Sequence, residues 1–461
     1  MSEKRSMSCK LYIYLSTLFW LFSGYLAEHA FADESSLSLT GLLQLRYDGR
    51  YLSDGEDDDH KLHQIADLNI KKNDWEHFKF TLSGDIIEDI DSYDDDQTDR
   101  TRTVHDTWDS SSHGYLYVCQ AEIYELGRLD YARFGRQYVY HELPTTHIDG
   151  VNCSLDLNVF DRQIKPFVYG GIPVRLYEGG DYWDSQEVGV GAHIRLDEFT
   201  KITLEHQFIK EKYDMVGSYG ESGTNRYQQS AFAIRRSFLR KGHGYISLFL
   251  LDNSPKQINT RYSLLVDRLN LDIDASYFYQ FRTITEMPAT SVYTGLTGEI
   301  KPYHLATLDI TKGVYKDSVW VSGGTEWRLL DSGEDESEFN HSYNHQYLAL
   351  IIDDLLMKDV ELSLQADRWS VMDDDNDDTI LSCGGEIGYE KSKSFNISIG
   401  SSYSLYTYDY FADTDEKTDV YTVYSDIRYY IQPGLYLDAR YELDIYDIHE
   451  HRVVTTIGLE I

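Results

Sequence analysis

The chain has 461 residues with 78 Asp and Glu against 42 Lys and Arg, a formal net charge of −36. That balance repels a phosphate backbone and excludes non-specific nucleic-acid binding. An acidic chain poor in aromatics would read as disordered, but 39 Tyr, 18 Phe and 7 Trp argue against that.

The first element is an export signal. Lys4, Arg5 and Lys10 form a basic start, residues 11–26 are mostly apolar, and Ala30-Phe31-Ala32 places small residues at the −3 and −1 positions before Asp33. This predicts a signal peptide over residues 1–32, cleaved on export. The apolar stretch is shorter than the ~20 residues of a spanning helix, and no second one follows. Residues 33–461 are therefore read as one domain that crosses no membrane as helices. Cys119, Cys153 and Cys383 are too widely spaced for a disulfide framework or a metal motif.

From there on, segments alternate with period 2. Leu37, Leu39, Leu43 and Leu45 alternate with Ser38, Thr40, Gln44 and Arg46, so the first strand begins soon after the cleavage position and leaves no room for a plug domain. Phe78, Phe80 and Leu82 alternate with Lys79, Thr81 and Ser83. Val188, Val190, Ala192 and Ile194 alternate with Glu187, Gly189, Gly191, His193 and Arg195. The same holds for Val360, Leu362 and Leu364 against Glu361, Ser363 and Gln365, and for Leu435, Leu437, Ala439, Tyr441 and Leu443 against Tyr436, Asp438, Arg440 and Glu442. Successive side chains of a strand point to opposite faces, so each run has one apolar and one charged side. Runs of ten or more residues suit tilted membrane strands, whereas strands of soluble sandwiches average five or six. The expected fold is all-β: a transmembrane antiparallel up-and-down barrel of about 22 strands, range 18–24, without a plug.

The connections fall into a short class (72–76, 126–130, 196–200, 353–358, 391–394, 431–434) and a long one (48–62, 90–113, 213–225, 331–343, 409–419). Alternation of the two predicts periplasmic turns and extracellular loops. Acid concentrates in the long class, as in Asp94-Asp95-Asp96 and Asp373-Asp374-Asp375. Two stretches resist parsing: 283–302, which has room for a further strand, and 158–174. The chain ends on Val453, Thr455, Ile457, Leu459 and Ile461 in alternation, which resembles the closing strand of outer-membrane proteins with Ile in place of the usual Phe.

The charged faces supply the candidate pore lining: Arg195, Glu326, Arg328, Glu361, Asp367, Asp426, Arg428, Asp438, Arg440 and Glu442. Such residues suit a watered lumen and are costly against lipid. They either solvate and brace the wall or set ion selectivity, with the acid excess favouring cations. Tyrosine clusters are read as interfacial anchors, with a carbohydrate-stacking track as the alternative. His341 and His345, four apart in a loop, form a weak metal candidate, and the acid runs lack EF-hand spacing. Neither a metal nor a cofactor is expected. There is no G-x-S-x-G, H-E-x-x-H or phosphate loop, so an enzyme is not expected.

The segment Gly127-Arg128-Leu129-Asp130-Tyr131-Ala132-Arg133-Phe134-Gly135-Arg136-Gln137 resembles the turn, strand and Gly-Arg-Gln hairpin of large bacterial porins, including alginate-export-type channels. Those exporters have an electropositive conduit, from which the acid excess here departs. A wide, unplugged, Tyr-rich acidic barrel is also similar to the porin-like sheaths of porin–cytochrome conduits, which implies a multihaem cytochrome as partner. The resemblance to large porins implies the outer membrane as location, and the lipid bilayer, lipopolysaccharide and the barrel assembly machinery as partners. The function expected is passive passage of small hydrophilic solutes or ions. A cytochrome sheath is the alternative, and a surface enzyme a third reading.

Overall fold

In a computed structural model the described residues are 37–53, 58–72, 76–90, 112–174, 184–214, 222–238, 241–283, 300–316, 318–332, 340–354, 357–372, 379–390, 394–411, 414–446 and 449–461. The predicted signal peptide, both acid triplets and most of 283–302 lie outside them.

The described residues form one antiparallel sheet. Its first strands are β1 (Leu37–Leu52), β2 (Asp59–Lys72), β3 (Phe78–Asp89), β4 (Ser112–Leu126), β5 (Leu129–Val139), β6 (Thr146–Leu155) and β7 (Leu157–Val159). Next come β8 (Arg162–Pro173), β9 (Gln186–Arg195), β10 (Thr200–Asp214), β11 (Ser222–Phe238), β12 (Gly242–Leu251), β13 (Ser254–Val266), β14 (Leu271–Gln280) and β15 (Tyr303–Tyr315). The last are β16 (Val319–Leu330), β17 (Tyr343–Asp353), β18 (Val360–Val371), β19 (Thr379–Glu390), β20 (Phe395–Phe411), β21 (Thr414–Gln432), β22 (Leu435–Ile445) and β23 (His449–Glu460). Strands β6 and β7 both pair with β8 and are two pieces of one stave. Their pairing lapses opposite Lys165 and Pro166, where proline has no N–H for the ladder. The wall therefore has 22 staves, as the alternation predicted.

Closure is direct. Strand β23 pairs with β1 from Leu42↔Glu460 to Leu52↔Glu450, and Gly41 and Ile461 exchange both backbone hydrogen bonds at 3.0 Å. A closed sheet leaves no unpaired edge, the condition for crossing a bilayer with strands. An even stave count puts both ends of the sheet at the same end of the barrel. No plug is present among the described residues.

Residues directly opposite in an antiparallel ladder point to the same side, so the register traces each face around the ring. One face carries Val168, Val188, Val190, Phe232, Leu348, Leu364, Ile387, Ile399, Val423, Ile427 and Leu437, all exposed. A continuous apolar band of this extent meets lipid, not water. The other face is polar and encloses the lumen.

Several boundaries differ from the sequence reading. The loop expected at 409–419 is nearly absent, because β20 and β21 continue to Phe411 and from Thr414. Strands also extend into 48–62 and 213–225. Beyond the lipid band a hairpin needs no apolar face, so period-2 patterning fades while the ladder continues. Residues 158–174 resolve into β7, a tight turn with Phe160 and Asp161 at positive φ, and β8. Asp252 and Asn253 form a second such turn at the end of the barrel opposite the termini, where longer loops were expected. Gly135 of the Gly-Arg-Gln segment sits at φ 110°, where a Cβ would meet the Cys119 carbonyl, so only glycine fits. Gly434 takes φ 84° in the turn between β21 and β22 for the same reason.

Candidate functional site

All ten residues singled out from the sequence project from the inner face, and the register brings five of them together. Asp426, Arg428, Asp438, Arg440 and Glu442 share one cavity of about 420 Å³ with Arg46 and Arg452. Arg428 Nε donates to Asp438 at 2.9 Å and Arg440 to Glu442 at 2.6 Å. The other five are dispersed. Glu326 accepts the Tyr343 hydroxyl at 2.7 Å. Arg328 donates to the His341 carbonyl at 2.9 Å and lies over the Tyr303 ring. Asp367 is 3.8 Å from His345, while Arg195 and Glu361 are exposed on the inner wall.

The His341/His345 candidate does not survive. His345 belongs to β17 and stacks on Trp369 at 3.9 Å, so the pair does not share one loop. No group of three His, Cys, Asp or Glu poised for a metal occurs among the described residues. The three cysteines are free.

Tyrosines do more on the inner wall than the sequence indicated. Tyr169, Tyr347, Tyr424 and Tyr436 each lie against a glycine on the neighbouring strand: Gly189, Gly324, Gly400 and Gly458. The missing Cβ lets the ring lie flat along the wall, and the hydroxyl then reaches the strand beyond. Tyr169 donates to Glu205 at 2.8 Å, Tyr347 to Asp309 at 2.6 Å and Tyr424 to Glu386 at 2.7 Å, while Tyr436 accepts from Gln44 at 2.6 Å. Each joint spans three strands and holds a polar partner in place. Aromatic cover of sheet glycines is a known way to pin register.

Sequence reasoning missed the feature that narrows the lumen. After β5, residues 140–145 turn inward and lie on the inner wall of β8–β12. The backbone N–H groups of Glu142 and Leu143 both donate to Glu205 Oε2, at 2.7 and 2.8 Å. The Glu142 carboxylate is buried against Arg235 at 2.8 Å and accepts the Tyr245 hydroxyl. Leu143 packs with Ala231 and Phe249, and His141 stacks on Phe167 at 3.6 Å. A carboxylate taking two amide hydrogen bonds is a strong local anchor. The segment holds Glu142 and Leu143 with no helical or strand periodicity, so only the contacts from β8–β12 reveal its role.

The outer face holds one polar pair of interest: His206 Nδ1 and Ser230 Oγ are 2.9 Å apart, in an apolar groove lined by Val190, Leu204, Phe232 and Leu248. The backbone around it is committed to ladders on both sides. A nucleophile–base pair there lacks the free N–H donors that acyl transfer needs for its oxyanion.

No family model matches the chain, and no curated protein matches it. Among solved structures the chain is similar to the translocation pore of the P pilus usher PapC, at 8% identity over 92% of this chain and 100% of that one, with a TM-score of 0.50. It also matches OccAB4 of Acinetobacter baumannii, at 10% identity over 93% of this chain and 98% of that one, with a TM-score of 0.44. A third match is the outer membrane protein OpdK of Pseudomonas aeruginosa, at 10% identity over 92% and 99%, with a TM-score of 0.43. At these identities the likeness is one of fold. Together with the closed even-stave sheet and its apolar outer band, the likeness to the usher pore makes the chain a closed β-barrel of the kind that crosses a membrane with strands.

Proposed function

We propose that the chain is a passive porin-like channel for small hydrophilic solutes or ions. The observation that carries this reading is the inner face itself: charged and hydroxylated side chains run around 22 staves, and one six-residue segment is seated on them among the described residues. Strands ~4.8 Å apart and tilted by ~40° give a ring roughly 40 Å across between backbones. Among the described residues, side chains and the segment 140–145 fill only part of that width. Water in the remainder solvates charges that lipid or a dry core would not tolerate.

The ten inner-face residues named from the sequence are the proposed lining. Arg428–Asp438 and Arg440–Glu442 brace the wall near the closing seam, and Glu361 and Arg195 offer free charge to the lumen.

The test is conductance of the purified full-length barrel in planar bilayers, with liposome swelling by sugars of increasing size. Stepwise conductance and size-limited swelling are the expected results. Well-folded barrel that neither conducts nor admits sugars would overturn the channel reading. Haem absorbance copurifying with such a barrel would replace it with the cytochrome sheath.

A further inference from the structure

One row of the inner wall departs from the acidic character of the chain. Across four adjacent strands the register aligns Arg195 (β9), Lys201 (β10), Arg235 (β11) and Tyr245 (β12), and Arg261 of β13 follows opposite Tyr245. Directly opposed side chains have Cβ atoms about 5 Å apart, and like charges so placed are destabilising. Three bases on neighbouring strands, with a fourth two strands further, therefore work against folding unless something offsets them.

The available acids offset only part. Glu142 takes Arg235 at 2.8 Å, and Asp274 takes Arg261 at 3.3 Å. Asp197 and Glu198 stand at the rim of the same space, but Asp197 already accepts the Phe199 amide and the Thr200 hydroxyl. Arg195 and Lys201 form no ion pair among the described residues. The row opens on a cavity of about 510 Å³, whose lining also includes His243, Tyr245 and Ser263. That space lies at the end of the barrel where the termini lie, below the seated segment 140–145. It admits a molecule rather than a single ion.

We propose that this row is a binding subsite for a small organic or inorganic oxyanion, carrying carboxylate or phosphate groups. Arg195 and Lys201 supply the unengaged positive charge, and Arg261, exposed three strands beyond Lys201 on the lining of the same cavity, supplies a further fork of N–H donors. Guanidinium groups match both oxyanion geometries through paired N–H donors. Tyr245, which donates to Glu142, fixes the floor of the site and does not compete for the ligand. An otherwise acidic conduit thus holds a local stop for anions at one mouth. The proposal rests on the channel reading only for the route by which the solute arrives.

Isothermal titration of the detergent-folded full-length barrel with pyrophosphate, and separately with citrate, tests the site without requiring conduction. Wild type is expected to bind at least one of them, and preference for one arm distinguishes phosphate from carboxylate recognition. Arg195→Gln combined with Lys201→Gln is expected to weaken binding roughly tenfold or more, the loss that corresponds to about 1.4 kcal/mol. Lys79→Gln, on the inner face of β3 and outside this row, is expected to leave it unchanged. Heat-modified gel mobility of each variant reports that the barrel is folded. Binding by neither anion in wild type, or equal binding by the double variant, overturns the proposal. Bilayer conductance of the same preparation, read separately, decides the channel reading.

Discussion

Arg452 and Asp48, near opposite ends of the sequence, are joined by two parallel hydrogen bonds: Nε to Oδ1 at 3.1 Å and Nη2 to Oδ2 at 2.8 Å. They sit on the strands that close the ring, and Arg46 adds a third contact to the same carboxylate at 2.9 Å. Asp48→Asn keeps the shape but removes the charge that both guanidinium groups share. It is expected to cost about 1–2 kcal/mol, reduced by the partial exposure of Arg452. Heat-modified mobility on gels should show the folded band lost at lower temperature. An unchanged transition would mean the backbone ladder alone holds the seam.

The tyrosine joints predict a cost confined to glycine. At Gly400 a Cβ would fall 2.3 Å from Tyr424 Cζ, so Gly400→Val must displace the ring and release Glu386. The loss expected is about 1–3 kcal/mol. Gly388, on the same inner face of β19, has no atom within 4 Å of its would-be Cβ and should accept alanine at little cost. Urea unfolding of both variants in micelles checks the contrast. Equal effects would remove the joints from the account of stability.

Seating of residues 140–145 should depend on pH through His141. Burial holds this ring well below its ordinary 6.5, at about 4. Its surroundings are Phe167, Tyr169, His193 and the Tyr131 hydroxyl. The seated ring is neutral, whereas a ring released to water takes a proton below about pH 6.5. Seating is therefore at full strength above 6.5 and weakens as pH falls from 6.5 towards 4. Single-channel current should become larger or noisier over that interval in wild type, and His141→Phe should remove the step. A flat wild-type profile would disconnect the segment from gating.

Much of the fold was legible because lipid on one side and water on the other impose period 2 on every stave. Parity alone therefore put Glu361, Asp426 and Arg440 on the inner face. The register, by contrast, is set by pairings that no single strand encodes. That Arg428 meets Asp438, or that Tyr424 finds Gly400, follows only once the strands are aligned. Residues 140–145 were illegible for the same reason: their anchor, Glu205, lies four staves beyond β5. The hairpin of β20 and β21 was hidden because a ladder outside the lipid band has no apolar face to mark it.

On the proposed channel reading, the distribution of charge around the ring sets an expectation for ion selectivity. Strands β14–β19 carry Asp272, Asp274, Asp309, Glu326, Glu361, Asp367 and Glu386 on the inner face, against Arg328 as the base there. Bases gather on β9–β13 and around the seam, so the preference for cations should be modest and should shrink with salt, which screens over about 10 Å at 0.1 M. The reversal potential under a salt gradient should shift towards the cation in wild type and less so in Glu361→Lys with Glu442→Lys. Anion selectivity in wild type would refute the charge argument.

An even number of staves also has a consequence for reporters. Halves of a split fluorescent protein attached to the outset of β1 and to Ile461 would meet, because both emerge on one side of the bilayer and the terminal strands are hydrogen-bonded to each other. A half spliced between Asp252 and Asn253, in a turn that only joins two strands, would be held a full membrane thickness away from either end. Fluorescence from the first pairing and darkness from the second would turn strand parity into a visible signal in living cells.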